Sequence, residues 1–211
     1  MKNKIVSIGI VLMTVIGSSV AQELDNREKF EIGAKVGLNF SNVWDTEGQD
    51  FVADTKAGIA LGAYVGIPLN KYIGLQPEVM LSQKGFKGGG SLLGFPYSFT
   101  RTTTYLDIPL LIQVKPIPFL TLLAGPQFSY LFNEKNVYTF ASNSTQQEAA
   151  FNNEDARNNI LGFVFGADIV YSYFVLSGRV GWDFQTNNQN GSSTTPRYKN
   201  QWLQFTVGVK I

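Results

Sequence analysis

Ten charged side chains share a spacing that invites chemistry. Lys35, Lys56, Glu78, Lys84, Asp107, Lys115, Asp168, Arg179, Asp183 and Lys210 each occupy an alternate position in a segment whose intervening positions are mostly apolar. On an extended chain, side chains two apart point the same way, so each segment gathers its charges on one face. Carboxylates and ammonium groups collected like this can pair as ions, hold a divalent cation, pass protons or act as general acid and base. Composition shortens that list. The 211 residues include no histidine and no cysteine, which removes imidazole shuttles, Ser-His-Asp triads, thiolate nucleophiles, thiolate metal sites and disulfide scaffolds. No catalytic, cofactor or metal site is expected. The ten residues are read as a structural polar network.

Other chemistry-bearing residues fall between the segments. Asp50, Asp54, Glu154 and Asp155 could bind a divalent cation or bridge lipopolysaccharide but are read as solvated acids, and Gly88-Gly89-Gly90 as a flexible loop tip, since no Gly-Lys-Ser/Thr follows it. Asn143-Ser144-Thr145 fits a glycosylation sequon and carries no weight alone.

The elements that position these residues show a period of two. From Phe30 to Ser41 the even positions, such as Ile32, Ala34, Val36 and Leu38, are apolar, while Glu31, Gly33, Lys35, Gly37 and Asn39 oppose them. The same alternation recurs at about 56–67, 72–84, 102–115, 119–132, 160–171, 174–185 and 201–211, predicting eight strands. Three connections are short, at 68–71, 116–118 and 172–173, and alternate with long polar ones at 42–55, 85–101, 133–159 and 186–200. Strict alternation of long and short predicts an all-β, eight-stranded, antiparallel up-and-down transmembrane barrel, with short periplasmic turns and long extracellular loops.

The beginning of the chain fits that destination. Lys2 and Lys4 precede an apolar run from Ile5 to Ile16, and Ser19-Val20-Ala21 supplies small residues for cleavage. This predicts a signal peptide over 1–21, a short periplasmic segment over 22–29 and the barrel over 30–211. Loss of Lys2 and Lys4 would turn the formal charge from +1 to −1, and a near-neutral chain without a basic cluster is not built for nucleic acid. The expected location is the outer membrane, in contact with its lipid and lipopolysaccharide.

Which face meets lipid is decided by the polar positions. A water-facing surface would carry many Lys and Glu, whereas this one is dominated by Gly, Ser, Thr and Gln, with Gly33, Gly37, Gly58, Gly62 and Gly66 among 21 glycines. Small residues make room inside a narrow barrel and weaken an exposed strand. The polar face is therefore predicted to be the lumen, with Asp168 diagonal to Arg179 and Glu78 within reach of Lys35 or Lys56. Outward aromatics are expected in two belts, with Phe30, Tyr171 and Phe174 near the periplasm and Phe40, Phe128, Tyr130, Phe132, Trp182 and Phe184 near the outer rim.

Several short motifs bear a resemblance. They are Gly33-Ala34-Lys35-Val36-Gly37-Leu38-Asn39-Phe40-Ser41, Leu75-Gln76-Pro77-Glu78, Ser82-Gln83-Lys84-Gly85, Tyr105-Leu106-Asp107-Ile108-Pro109-Leu110-Leu111, Ala124-Gly125-Pro126-Gln127 and Gly178-Arg179-Val180-Gly181. In this order they resemble the PorT-like outer-membrane β-barrel proteins of Bacteroidetes. The resemblance implies the barrel fold and an integral outer-membrane protein, and leaves open accessory service to type IX secretion or gliding. Pro77, Pro109 and Pro126 fall inside strands, where local bulges are expected. The functional expectation is a non-catalytic structural or interaction module that meets a protein partner through its outer loops, with narrow-pore or lipophile transport as the alternative.

Overall fold

A computed structural model describes residues 27–45, 53–92, 95–140, 143–149, 157–187 and 198–211. The expected leader and the acids Asp50, Glu154 and Asp155 lie outside the described residues. Among the described residues nine strands form in chain order: β1 (Glu31–Asp45), β2 (Asp54–Pro68), β3 (Ile73–Leu92), β4 (Phe95–Ile117), β5 (Leu120–Phe140), β6 (Asn143–Ala149), β7 (Asn159–Tyr171), β8 (Phe174–Asp183) and β9 (Tyr198–Lys210).

Eight of them close into a ring. Each neighbour pairs antiparallel with the next, β1 also pairs with β9, and β4 with β5 and β5 with β7 complete the circuit, leaving β6 attached to β5 alone among the described strands. Closure satisfies the backbone amides and carbonyls that lipid cannot, which is why a spanning sheet has no free edge within the bilayer. The tight turns lie at one end. Asn70 accepts hydrogen bonds from the amides of Tyr72 and Ile73, and Ser172 takes a positive φ of 53° at the tip of the turn between β7 and β8.

The side-chain pattern is inside out. Val36, Leu38, Ile59, Val79, Leu110, Phe165 and Val207 all face outward and exposed, while Lys35, Asn39, Gln76, Glu78, Asp107 and Arg179 are buried. Such an outer wall would be intolerable in water and is what a hydrocarbon solvent requires. Phe30, Tyr171 and Phe174 are exposed towards the turn end, and Phe40, Phe128, Phe132, Trp182 and Phe184 towards the opposite rim. Tyr72 and Tyr173, in the turns themselves, add to the first belt.

Two expectations need correction. Residues 85–101 and the first part of 133–159 are not loops: β3 and β4 stay paired from Gly85↔Thr102 out to Leu92↔Phe95, and β5 stays paired with β4 out to Phe140↔Tyr97. Gly88-Gly89-Gly90 therefore lies within a ladder opposite Phe99, Ser98 and Tyr97. Beyond the hydrocarbon the outer face of this part of the sheet needs no apolar alternation, so its sequence reads as loop even while Thr100, Thr102, Thr103 and Thr104 favour strand. The bulges expected at the three prolines are also absent. The register runs unbroken from Pro77↔Leu110 to Met80↔Asp107, through Pro109↔Gln127 and through Pro126↔Phe163. A proline forfeits one ladder donor, and here that loss does not displace the pairing. The register shifts fall instead between Thr55 and Ala60, between Thr104 and Tyr105, and between Val114 and Ile117.

Candidate functional site

The lumen is the place where the polar residues converge, and it is filled at successive depths. Nearest the turns, Lys210 Nζ lies 2.6 Å from Glu31 Oε1 and Lys115 Nζ lies 4.0 Å from it. Arg27, just before β1, donates to the carbonyls of Lys115 and Pro116 at 3.3 and 3.2 Å, and its guanidinium stands 5.2 Å from the Tyr72 ring centre. The chain thus folds its own N-terminal side across the periplasmic mouth.

The next level is a continuous chain of charge-assisted bonds. Glu78 accepts from Lys35 at 2.7 Å, from Arg179 at 2.7 Å and from Gln76 at 2.6 Å. Arg179 also reaches both carboxylate oxygens of Asp168, at 3.2 and 3.3 Å, from the diagonal position set by Asp168↔Ser177 and Gly166↔Arg179. Gln113 donates to Gln76, extending the network onto β4. Two cations and two anions balance here, as buried ions must if the layer is to persist.

Two glycines make space for the aromatic side of this network. Gly33 pairs with Tyr64 and Gly181 with Trp202, and a β-carbon at either position would overlap the partner's ring. The rings lie over the glycines and present their faces to ammonium groups: Lys35 is 5.2 Å from the Tyr64 centre and Lys84 3.8 Å from that of Trp202. Lys84 also contacts Asp107 at 3.0 Å. Asn39, from β1, donates to Ser82 at 3.0 Å and accepts from Gln204 at 2.8 Å, tying three strands together. Asp183 accepts from Asn200 at 2.6 Å.

Apolar side chains interrupt the polar column. Leu111, Leu123, Val164 and Trp202 form a buried cluster inside the barrel. Beyond it, at the extracellular end, Val43, Phe86 and Tyr198 pack with Ala53 and Phe99, and Arg101 bonds Glu134 at 2.7 Å. Burial in this cap pushes the Tyr198 phenol up to about 12.

Of the ten residues expected inside, eight are buried: Lys35, Glu78, Lys84, Asp107, Lys115, Asp168, Arg179 and Asp183. Lys210 sits at the mouth, half-buried. Lys56 stands apart. It shares the inward face of Gly58 and Ala60, opposite Ser41, but near the outer end of β2 it is half-exposed and donates to the carbonyl of Ala57 at 3.2 Å, while Glu78 pairs with Lys35. Sequence reasoning passed over Arg27, Glu31, Arg101, Glu134 and the lumen aromatics. Leu111 was legible as a break in alternation, because an apolar residue on a polar face signals an internal plug. Among the described residues no group of three or more acids is arranged to hold a metal ion.

A closed, apolar-walled ring of strands around a charge-filled axis defines an integral β-barrel membrane protein. The family profile described as "Outer membrane protein beta-barrel domain" matches residues 20–188. The chain belongs to that family, and its location is the outer membrane. No curated protein sequence matches the chain significantly. Among solved structures it is similar to Ail, the attachment invasion locus protein of Yersinia pestis, at 12% identity over 87% of this chain and 99% of that one, with a TM-score of 0.49. It is also similar to Neisserial surface protein A, at 12% identity over 86% and 97% with a TM-score of 0.47. OprG from Pseudomonas aeruginosa matches at 11% identity over 90% and 99%, with a TM-score of 0.42.

Proposed function

We propose that this protein is a non-catalytic interaction module, in which a closed barrel carries a stiff β-sheet above the outer leaflet to meet a protein partner. The observation that carries this reading is strand length. A tilted strand crosses a bilayer in about 9–11 residues, whereas β4 has 23 residues and β5 has 21. About half of each projects beyond the membrane. There β3, β4, β5 and β6 lie side by side as an ordered sheet, with β6 paired on one edge only among the described strands. An unpaired strand edge offers amides and carbonyls to another extended chain. The motif resemblance supports a place among the PorT-like barrels of Bacteroidetes and export by a cleaved leader.

Replacing residues 86–100 and 134–148 by short turns tests the reading. Affinity purification from native membranes should recover a partner with the intact protein and lose it with the shortened one, while the barrel still folds. Equal recovery by both would refute it. A second reading, narrow-pore or lipophile transport, is favoured by one observation: Arg179 Nε, Ser177 Oγ and Thr206 Oγ1 are buried in the barrel without a hydrogen-bond partner among the described residues. Stable single-channel steps in planar bilayers would support it over the filled lumen. Service to type IX secretion is the third reading, and a deletion strain that exports its cargo normally would remove it.

A further inference from the structure

The outer wall of the barrel carries a groove that the lumen does not explain. It lies at the extracellular rim where β8, β9 and β1 run side by side, and it encloses about 520 Å³. Pairings set its levels. Val180↔Leu203 and Leu203↔Phe40 form an apolar lower step, Trp182↔Gln201 and Gln201↔Asn42 a middle step, and Lys199↔Trp44 the step furthest from the membrane centre. The apolar members are exposed, Trp44 at 66% and Trp182 at 40%, so the protein itself does not cover them. Asn42 is already engaged, donating to the Ala53 carbonyl and accepting from the Val43 amide. Gln201 is exposed and lines the groove together with Trp44 and Trp182.

We propose that this groove is a binding site for one outer-leaflet lipid with a phosphorylated saccharide head group. The chemistry changes with depth in the order such a molecule requires. An acyl chain lies along Val180, Leu203 and Phe40, at a depth where the surroundings are hydrocarbon. Indole faces stack on the C–H faces of sugar rings, and the Gln201 amide matches sugar hydroxyls in both donor and acceptor roles. Lys199, on the same outward face one level further out, complements a phosphate. A protein partner would not need the acyl step, and a simple two-chain phospholipid would leave the Trp44 and Trp182 faces without a ring to stack on. The site depends on the outer-membrane location and is independent of any partner held by the sheet above.

Native mass spectrometry of the full-length protein tests the proposal, with the protein folded in detergent containing equimolar purified lipid A and phosphatidylethanolamine. One lipid A molecule should be retained in preference to phosphatidylethanolamine. Retention should fall at least tenfold in Trp44→Ala/Trp182→Ala, with folding verified by heat-modifiable gel mobility. Gln201→Ala, which leaves both indoles in place, serves as the second variant and should also weaken retention. Lys199→Gln should weaken retention of lipid A but not of its dephosphorylated form. Equal retention of the two lipids, or undiminished lipid A on the folded variants, would overturn the site.

Discussion

Neutralising Glu78 is the sharpest test of the idea that the lumen is a balanced ionic plug. Its carboxylate takes three bonds, from Lys35 and Arg179 at 2.7 Å and from Gln76 at 2.6 Å. In Glu78→Gln the shape is kept, but the layer passes from neutral to one excess positive charge, with Asp168 left to serve Arg179. The new amide also points N–H groups at a cationic donor. Breaking a buried ion pair from one side costs about 3–5 kcal/mol, and because the amide oxygen still accepts one bond, the loss should fall in that range rather than at twice it. Equilibrium urea unfolding in vesicles measures it, with tryptophan emission as the probe and linear extrapolation to water. Adding Lys35→Met restores neutrality. The double variant should then be at least about 1.5 kcal/mol more stable than the sum of the single effects predicts, since residues in one network couple by about 0.5–3 kcal/mol. A loss below about 1 kcal/mol for Glu78→Gln, or simple additivity with Lys35→Met, would refute the reasoning.

Other expectations follow from the same structure. Leu110→Arg or Val79→Arg places a charge on the lipid-facing wall and should cost about 2–4 kcal/mol in vesicles; tolerance of both at no cost would contradict the assigned facing. Gly181→Val must displace the Trp202 ring from Lys84, so it should cost about 1–3 kcal/mol and shift indole emission to the red. Folded protein in planar bilayers should give no stable single-channel steps. The extracellular aromatic cap should loosen in alkali. The fold favours the protonated phenol of Tyr198, so its contribution is complete below pH 10, the ordinary tyrosine value, and is lost as pH rises through about 12. Near-ultraviolet circular dichroism should report that loss, and Tyr198→Phe should blunt it.

The transmembrane half of the molecule was legible because lipid and lumen are opposite solvents. Every second residue had to obey one or the other, and Ile32 and Lys35 or Val79 and Glu78 announce their sides unaided. The pairing of Arg179 with Asp168 followed from a short turn that fixes register. Lys56 keeps the inward parity of Gly58 and Ala60, but near the outer end of β2 burial is incomplete, and alternation alone does not report depth. The projecting sheet was hidden for a different reason. Its outer face meets water rather than lipid, so its composition resembles a loop, and only the ladder joining Phe86 to Arg101 and Arg101 to Asn136 reveals it. The cap of Val43, Phe86 and Tyr198 assembles from three strands far apart in sequence, a convergence that periodicity alone does not encode.

Ring closure by β9 has a consequence for how the chain must be handled before it is folded. Gly33 meets Lys210, so β1 stays unpaired on one side until β9 arrives. A chain lacking that final span would keep two sticky borders in a greasy sheet, and no amount of partial zippering could hide them. Assembly is therefore close to all-or-none. Until the last segment docks, the polypeptide needs an escort that keeps it from its own copies.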